Sequence, residues 1–183
     1  MFNPDIQFAR SKGIDLGLLY IYEAGYMSGN KLKECTDWRK SIRQHYREYE
    51  KDDKGNWLAF PAVFLDPFNG KEFKTISGDG VTSHIPATAI RKADRMSVQK
   101  ADIIIANMNM FGESRPMIGT HHEMAWAFEW QKPIILICDK KDLVLYQNHP
   151  FTCDCDYYFN DIQEVIDNKV IETYYRRVHG AIY

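Results

Sequence analysis

Two carboxylates of this chain, Glu123 and Asp94, stand where a side chain can do chemistry. Glu123 follows Gly119-Thr120 at the start of a helical pattern, just after the polar loop that ends the apolar run 103–106 (IIIA). An ionised glutamate can attack an electrophilic sugar carbon or act as a base. Thr120-x-x-Glu123 also matches the S/T-x-x-E capping box. Either reading puts Glu123 in a first helical turn, where the positive end of the helix dipole favours the carboxylate. Asp94 falls in a predicted helix over 87–100, beside a stripe formed by Ile90, Ala93, Ser97 and Ala101. It is either a solvated helix aspartate or, turned to the sheet's carboxyl end, a group that holds or donates a proton to a leaving group. Asp102 opens a strand and reads as its cap. Gly25, Ser28 and Gly29 follow the first strand; small residues there let backbone approach a ligand, although the full G-x-G-x-x-G fingerprint is absent.

The elements that must position these groups alternate in type. Residues 16–22 (LGLLYIY) read as a first strand. A helix is expected after Thr36-Asp37, with Trp38, Ile42, Tyr46 and Tyr49 on one face. Residues 58–65 read as a second strand weakened by Pro61, and 66–86, with three glycines and two prolines, as a long loop. Helix 87–100 leads into strand 103–106, then a helix from Gly119 to the Lys132-Pro133 stop, then strand Ile134–Ile137. Residues 139–156 read as irregular, 160–167 and 170–177 as helical. Strand–helix alternation of this kind predicts an α/β fold, a doubly wound parallel sheet with helices on both faces. Ligands in such sheets collect at the carboxyl ends of the strands, where the loop before Glu123 must lie.

Composition sets bounds on partners. The 183 residues suit one domain, 1–183, with 1–15 as an N-terminal extension. The 23 basic and 25 acidic residues give a net charge of -2 without a basic block, which argues against a nucleic-acid groove. No apolar run approaches the ~20 residues that span a membrane, and the N-terminus has no apolar signal core. A cytoplasmic protein is expected. Cys153-Asp154-Cys155 lacks the spacing and second pair of a zinc site. His121 and His122 point about 100° apart on a helix, which disfavours a shared ion. No metal and no cofactor are expected.

Three ordered blocks then carry a resemblance: YEAGYMSG after the first strand, RKADRMSVQKADIIIAN, and GTHHEMAWAFEWQKPIIL. Together they resemble the nucleoside 2-deoxyribosyltransferase family, including its deoxynucleoside 5′-monophosphate N-glycosidase-like members, over about residues 18–183. The resemblance implies a flavodoxin/Rossmann-like sheet. It makes Glu123 the nucleophile that attacks C1′ of a deoxyribose, Asp94 the group that contacts the base and assists its departure, and Tyr22 the tyrosine near nucleophile and sugar. Asn148 aligns loosely with an asparagine that some members lend to a neighbouring subunit. The terminal Gly180-Ala181-Ile182-Tyr183 resembles the family's Gly-Ala-Val-Tyr end, which would bring Tyr183 to the site. Six residues before the nucleophile, where members often carry Asp or Ser for the sugar or its 5′ group, stands Met117, which offers neither a charged nor a hydroxyl contact.

The implied activity is transfer of a 2-deoxyribosyl group between nucleobases through a covalent glycosyl-glutamate. Alternatives are hydrolysis of the N-glycosidic bond of a deoxynucleoside 5′-monophosphate, and a non-catalytic nucleotide-sensing domain. A phosphoribohydrolase of the cytokinin-activating type is disfavoured, because Pro116-Met117-Ile118 replaces the Pro-Gly-Gly expected before Gly119. The implied partners are a small nucleoside or nucleotide and a free nucleobase. The aromatic content (14%) and the lent asparagine raise the expectation of a homo-oligomer, although aromatics serve equally in a core.

Overall fold

The chain builds a central parallel sheet whose middle strands are covered on both faces. The structure is a computed structural model and describes residues 17–26, 32–51, 54–55, 57–68, 73–75, 81–83, 85–109, 117–150 and 152–179. Its strands are β1 (Leu19–Gly25), β2 (Glu50–Lys51), β3 (Trp57–Leu58), β4 (Ala62–Leu65), β5 (Phe73–Thr75), β6 (Val81–Ser83), β7 (Ile103–Asn107), β8 (Ile134–Ile137) and β9 (Tyr157–Phe159). Its helices are α1 (Leu32–Arg47), α2 (Ala87–Lys100), α3 (Ile118–Glu129), α4 (Lys140–Asn148), α5 (Ile162–Asp167) and α6 (Val170–His179).

Five strands form the main sheet in the order β4-β1-β7-β8-β9, all parallel. Numbered by their order in the chain, these strands run 2-1-3-4-5, the doubly wound arrangement with its switch point between β1 and β7. β7 and β8 read as unbroken isoleucine-rich runs because both of their faces are buried. Tyr22, Ala24, Ile104, Ala106, Ile134 and Leu136 face one layer, packed by Val98 and Ala101 at the end of α2, by Met124 and Ala127 of α3, and by Leu143 and Tyr146 of α4. Leu19, Ile21, Ile103, Ile105, Ile135 and Ile137 face the other, packed by Ile42 and Tyr46 of α1, Val165 of α5 and Ile171 and Tyr175 of α6. Period-two alternation therefore sends Tyr22 and Glu23, neighbours in sequence, to opposite sides of the sheet.

Aspartates pin the strand entrances. The Asp102 carboxylate accepts the Tyr20 N–H at 2.8 Å, and the Asp156 carboxylate accepts the Ile134 N–H at 2.8 Å. Asp102 is thus the strand-start cap its position suggests.

Several elements differ from the sequence reading. α1 begins at Leu32, ahead of Thr36-Asp37. The strand expected over 58–65 is split, with β3 pairing antiparallel to β2 and β4 starting just after Pro61, which lacks a ladder N–H. The expected loop 66–86 contains the antiparallel pair β5 and β6. The expected irregular segment 139–156 contains α4, where Leu143 and Tyr146 reach the core while Val144 and Leu145 are exposed. Its apolar residues are contiguous at 143–146, so no helical period stands out.

The aromatic content has a structural destination. Tyr46, Tyr49, Phe60, Phe64 and Tyr175 interlock at ring-centroid distances of 5.0 to 6.1 Å beneath α1 and α6. Composition therefore supplies a core and gives no argument for a partner subunit. None of the four cysteines is in a disulfide, and burial pushes the thiols of Cys138 and Cys155 up to about 11 and about 12. Among the described residues no helix is long and apolar enough to cross a membrane.

Candidate active site

α2 and α3 lie side by side on the Tyr22 face of the sheet, and the space at their facing ends is a cavity of about 360 Å³. Each helix contributes one stripe with i, i+3, i+4, i+7 spacing: Ala87, Ile90, Arg91 and Asp94 from α2, and Gly119, His122, Glu123 and Trp126 from α3. A ligand-sized space walled by apolar and aromatic groups with a few convergent polar ones is the usual form of a small-molecule site. Gly119 faces open space: a Cβ built there has no heavy atom within 4 Å.

Glu123 sits against the sheet, 6% exposed, and accepts a 2.7 Å hydrogen bond on Oε1 from the Tyr22 hydroxyl. Tyr22 is fully buried. Burial, followed by the negative charges of Glu123 and Asp94, pushes its phenol well above the ordinary tyrosine value. At neutral pH Tyr22 therefore stays an O–H donor, and a short bond to a carboxylate is the stronger kind. Asp94, 8% exposed, lines the same cavity and acts electrostatically on the same phenol. The structure thus brings together the three residues marked for catalysis, which lie on three different elements.

The reason Glu123 is held there is not the one its sequence suggests. α3 begins at Ile118 with Met117 as its N-cap residue, and no side chain caps it. Thr120 is buried one turn before Glu123, and the glutamate falls in the second turn. A capping box is not formed, and the dipole effect, which fades within the first turn, is weaker than expected. Tyr22 holds the carboxylate instead. A related cap occurs at α5, where Asp161 accepts the Glu164 N–H at 2.9 Å and Glu164 reaches back one residue further, to the Asn160 N–H at 2.8 Å. The Asp94 stripe needs a similar correction. Asp94 and Val98 are the buried residues of α2 and Ala93 is exposed, so Asp94 lies on the inward face and not beside it.

The residues marked for substrate binding divide. Gly119 lines the cavity. Gly25 does not face it: a Cβ there would come within 3.1 Å of Trp38 and 3.2 Å of Arg39, so this glycine allows α1 to pack closely on the end of β1. Met117 is 5% exposed and belongs to the hydrophobic cluster under α3. Asn148 is exposed at the end of α4, donates to the Val144 carbonyl at 2.6 Å and does not line the Glu123 cavity of its own chain. Ser28, Gly29 and Tyr183 lie outside the described residues.

Sequence reasoning missed Arg91, His122 and Trp126. Their signal was available as the two stripes, each spaced like a helix face around a carboxylate. The histidines bond along their own helix, with His121 Nδ1 2.8 Å from the Met117 carbonyl and His122 Nδ1 3.0 Å from the Ile118 carbonyl. A carbonyl only accepts, so Nδ1 carries the proton in both rings. His122 also borders a second cavity of about 450 Å³ with His121, Phe128, His149 and Asp154 on the other side of α3.

No family model matches the chain, and no curated protein matches it by sequence. Among solved structures it is similar to a 2-desoxiribosyltransferase from Leishmania mexicana, at 21% identity and a TM-score of 0.39. That likeness covers 65% of this chain and 63% of the other, so the chain spans less than two thirds of that structure's length.

Proposed function

We propose that this protein transfers a 2-deoxyribosyl group between nucleobases, with Glu123 as the covalent nucleophile. The observation that carries the proposal is the buried Tyr22–Glu123 hydrogen bond at the wall of a cavity that Asp94 also lines. A carboxylate held on one oxygen by a neutral donor is oriented without being protonated, which suits attack on a sugar carbon.

In the first half-reaction a Glu123 carboxylate oxygen bonds to C1′ while the C1′–N bond breaks. The bond's electron pair leaves with the base nitrogen, and Asp94 as an acid supplies the proton that nitrogen takes up. In the second, a nitrogen of another base attacks C1′, the glutamate leaves as carboxylate, and the proton of the attacking nitrogen returns to Asp94. Two displacements give net retention, as in retaining glycosidases. Trp126 and Ile90 offer the base an apolar wall. Water in place of the second base would make the same site a hydrolase. The monophosphate variant of that reading gains support from Arg91, a lining residue of the cavity whose guanidinium is of the type that binds a 5′-phosphate.

The same proposal treats 1–183 as a single domain of this type, working without a cofactor in the cytoplasm. Its test is a panel of deoxynucleosides and their 5′-monophosphates, each with and without a free acceptor base, with products separated chromatographically. Wild-type protein is expected to exchange bases or release them, and Glu123→Gln to do neither while unfolding at the same temperature. A fully active Glu123→Gln eliminates the covalent mechanism, and silence across the panel favours a sensing domain.

A further inference from the structure

One buried cation, Arg39, meets the carboxyl end of β1. β1 is paired with β4 only from Leu19 to Tyr22, because β4 ends at Leu65. The Leu19 N–H donates to Pro61 on the β4 side, so by alternation Glu23 and Gly25 also turn their carbonyls to that side, past the end of β4. Carbonyls buried without a donor are costly. Arg39 of α1 supplies the donors: its Nη2 and Nε lie 3.0 and 3.3 Å from the Glu23 carbonyl and its Nη2 3.5 Å from that of Gly25. Its Nη1 also donates to the Cys35 carbonyl of its own helix.

Arg39 is 1% exposed, an extreme position for a charged side chain. Its guanidinium is 4.5 Å from the Trp38 ring centroid and 5.0 Å from that of Phe68. Gly25 makes the contact possible, since a Cβ there would meet Trp38 and Arg39. The Glu23 carboxylate on this face is held by Arg43, which also reaches Asp66 at 2.7 Å, so the end of β4 is tied to the same assembly. Arg39 also feels the Glu123 carboxylate: burial lowers its pKa, while Glu23, Asp66 and Glu123 oppose that fall.

We infer that Arg39 is a positioning residue of the Glu123 site: it replaces the missing strand at the exit of β1 and so fixes the segment that carries the Tyr22 hydroxyl to Glu123. The planar fork matters as well as the charge, because lysine cannot serve two separated carbonyls from one rigid plane.

The inference rests on the functional reading above, so its test has one arm that does not need activity. Deuterium uptake is followed in the peptide covering 22–26 in wild type, Arg39→Lys, Arg39→Met and Gly25→Ala, with β8 as internal reference. Faster uptake at 22–26 than at β8 is expected in Arg39→Lys and Gly25→Ala, which keep the charge and serve if Arg39→Met fails to fold. Unchanged uptake in both overturns the inference whatever the protein's activity. The kinetic arm is a double-mutant cycle with Tyr22→Phe. Arg39→Lys is expected to lower kcat roughly tenfold with little change in KM, and to lose most of that effect once Tyr22 is Phe. Full kcat in Arg39→Lys, or an equal loss in both backgrounds, overturns action through Tyr22.

Discussion

Tyr22→Phe separates what the buried hydrogen bond does from what the carboxylate does. The substitution removes one oxygen and leaves the ring in its place beneath α3. What is lost is the 2.7 Å bond from the phenol to Glu123 Oε1. A hydrogen bond to a charged group contributes about 1.5–3 kcal/mol and one to a neutral group about 1 kcal/mol. In the proposed cycle Glu123 is a carboxylate before attack and after release, and a neutral ester between them. Tyr22 therefore stabilises the free carboxylate more than the ester, by about 0.5–2 kcal/mol, a factor of roughly 2–30 in their ratio. Removing it is expected to slow release of the sugar more than its capture, so the glycosyl-enzyme accumulates. The assay is rapid quench with each active substrate of the panel, followed by intact-protein mass spectrometry of the adduct. Equal adduct occupancy in wild type and Tyr22→Phe would refute the hydrogen-bond reasoning. Normal turnover without adduct in either protein, even at the shortest quench times, would refute the covalent step.

Two other perturbations test neighbouring claims. Asp94→Asn keeps shape and removes the acid; it is expected to lower the rate of base departure by about 10²–10⁴-fold with little change in substrate affinity, and single-turnover kinetics showing only weaker binding would sink the acid role. Glu23 gives a pH signature of stability. Burial, opposed by Arg43 and Arg39, raises its carboxyl from 4.5 to about 7. The folded state then holds a proton that the unfolded state has lost, so stability is expected to fall as pH rises from about 4.5 to about 7 and to level off above, by up to about 3 kcal/mol. Glu23→Gln should flatten that slope in denaturant titrations run across the window; a wild-type curve rising over the same range would contradict the assignment.

The sequence by itself determined the fold class and the two central strands. Fully buried parallel strands have no polar face, so 103–106 and Ile134–Ile137 stand out as unbroken apolar runs, and the helix over 87–100 is observed with those bounds. Elements with weaker local signals were harder to read. β5 and β6 are three residues each, and α4 places contiguous apolar residues both inward and outward. Glu123 was legible as a chemistry-bearing residue because it follows the loop at the carboxyl end of a strand, whereas Asp94 read as lying beside its helix's apolar stripe and is found on the inward face. What only the tertiary structure decided was how they are held. The S/T-x-x-E pattern at Thr120 implies a local cap, yet the helix starts earlier and the carboxylate is held by Tyr22, 101 residues away in sequence. Gly25 and Met117 resemble ligand-facing positions in sequence and are packing positions in space. Arg39 carries no local motif, because its function depends on where β4 stops, and the end of a neighbouring strand is a property of the folded sheet and not of any window of sequence.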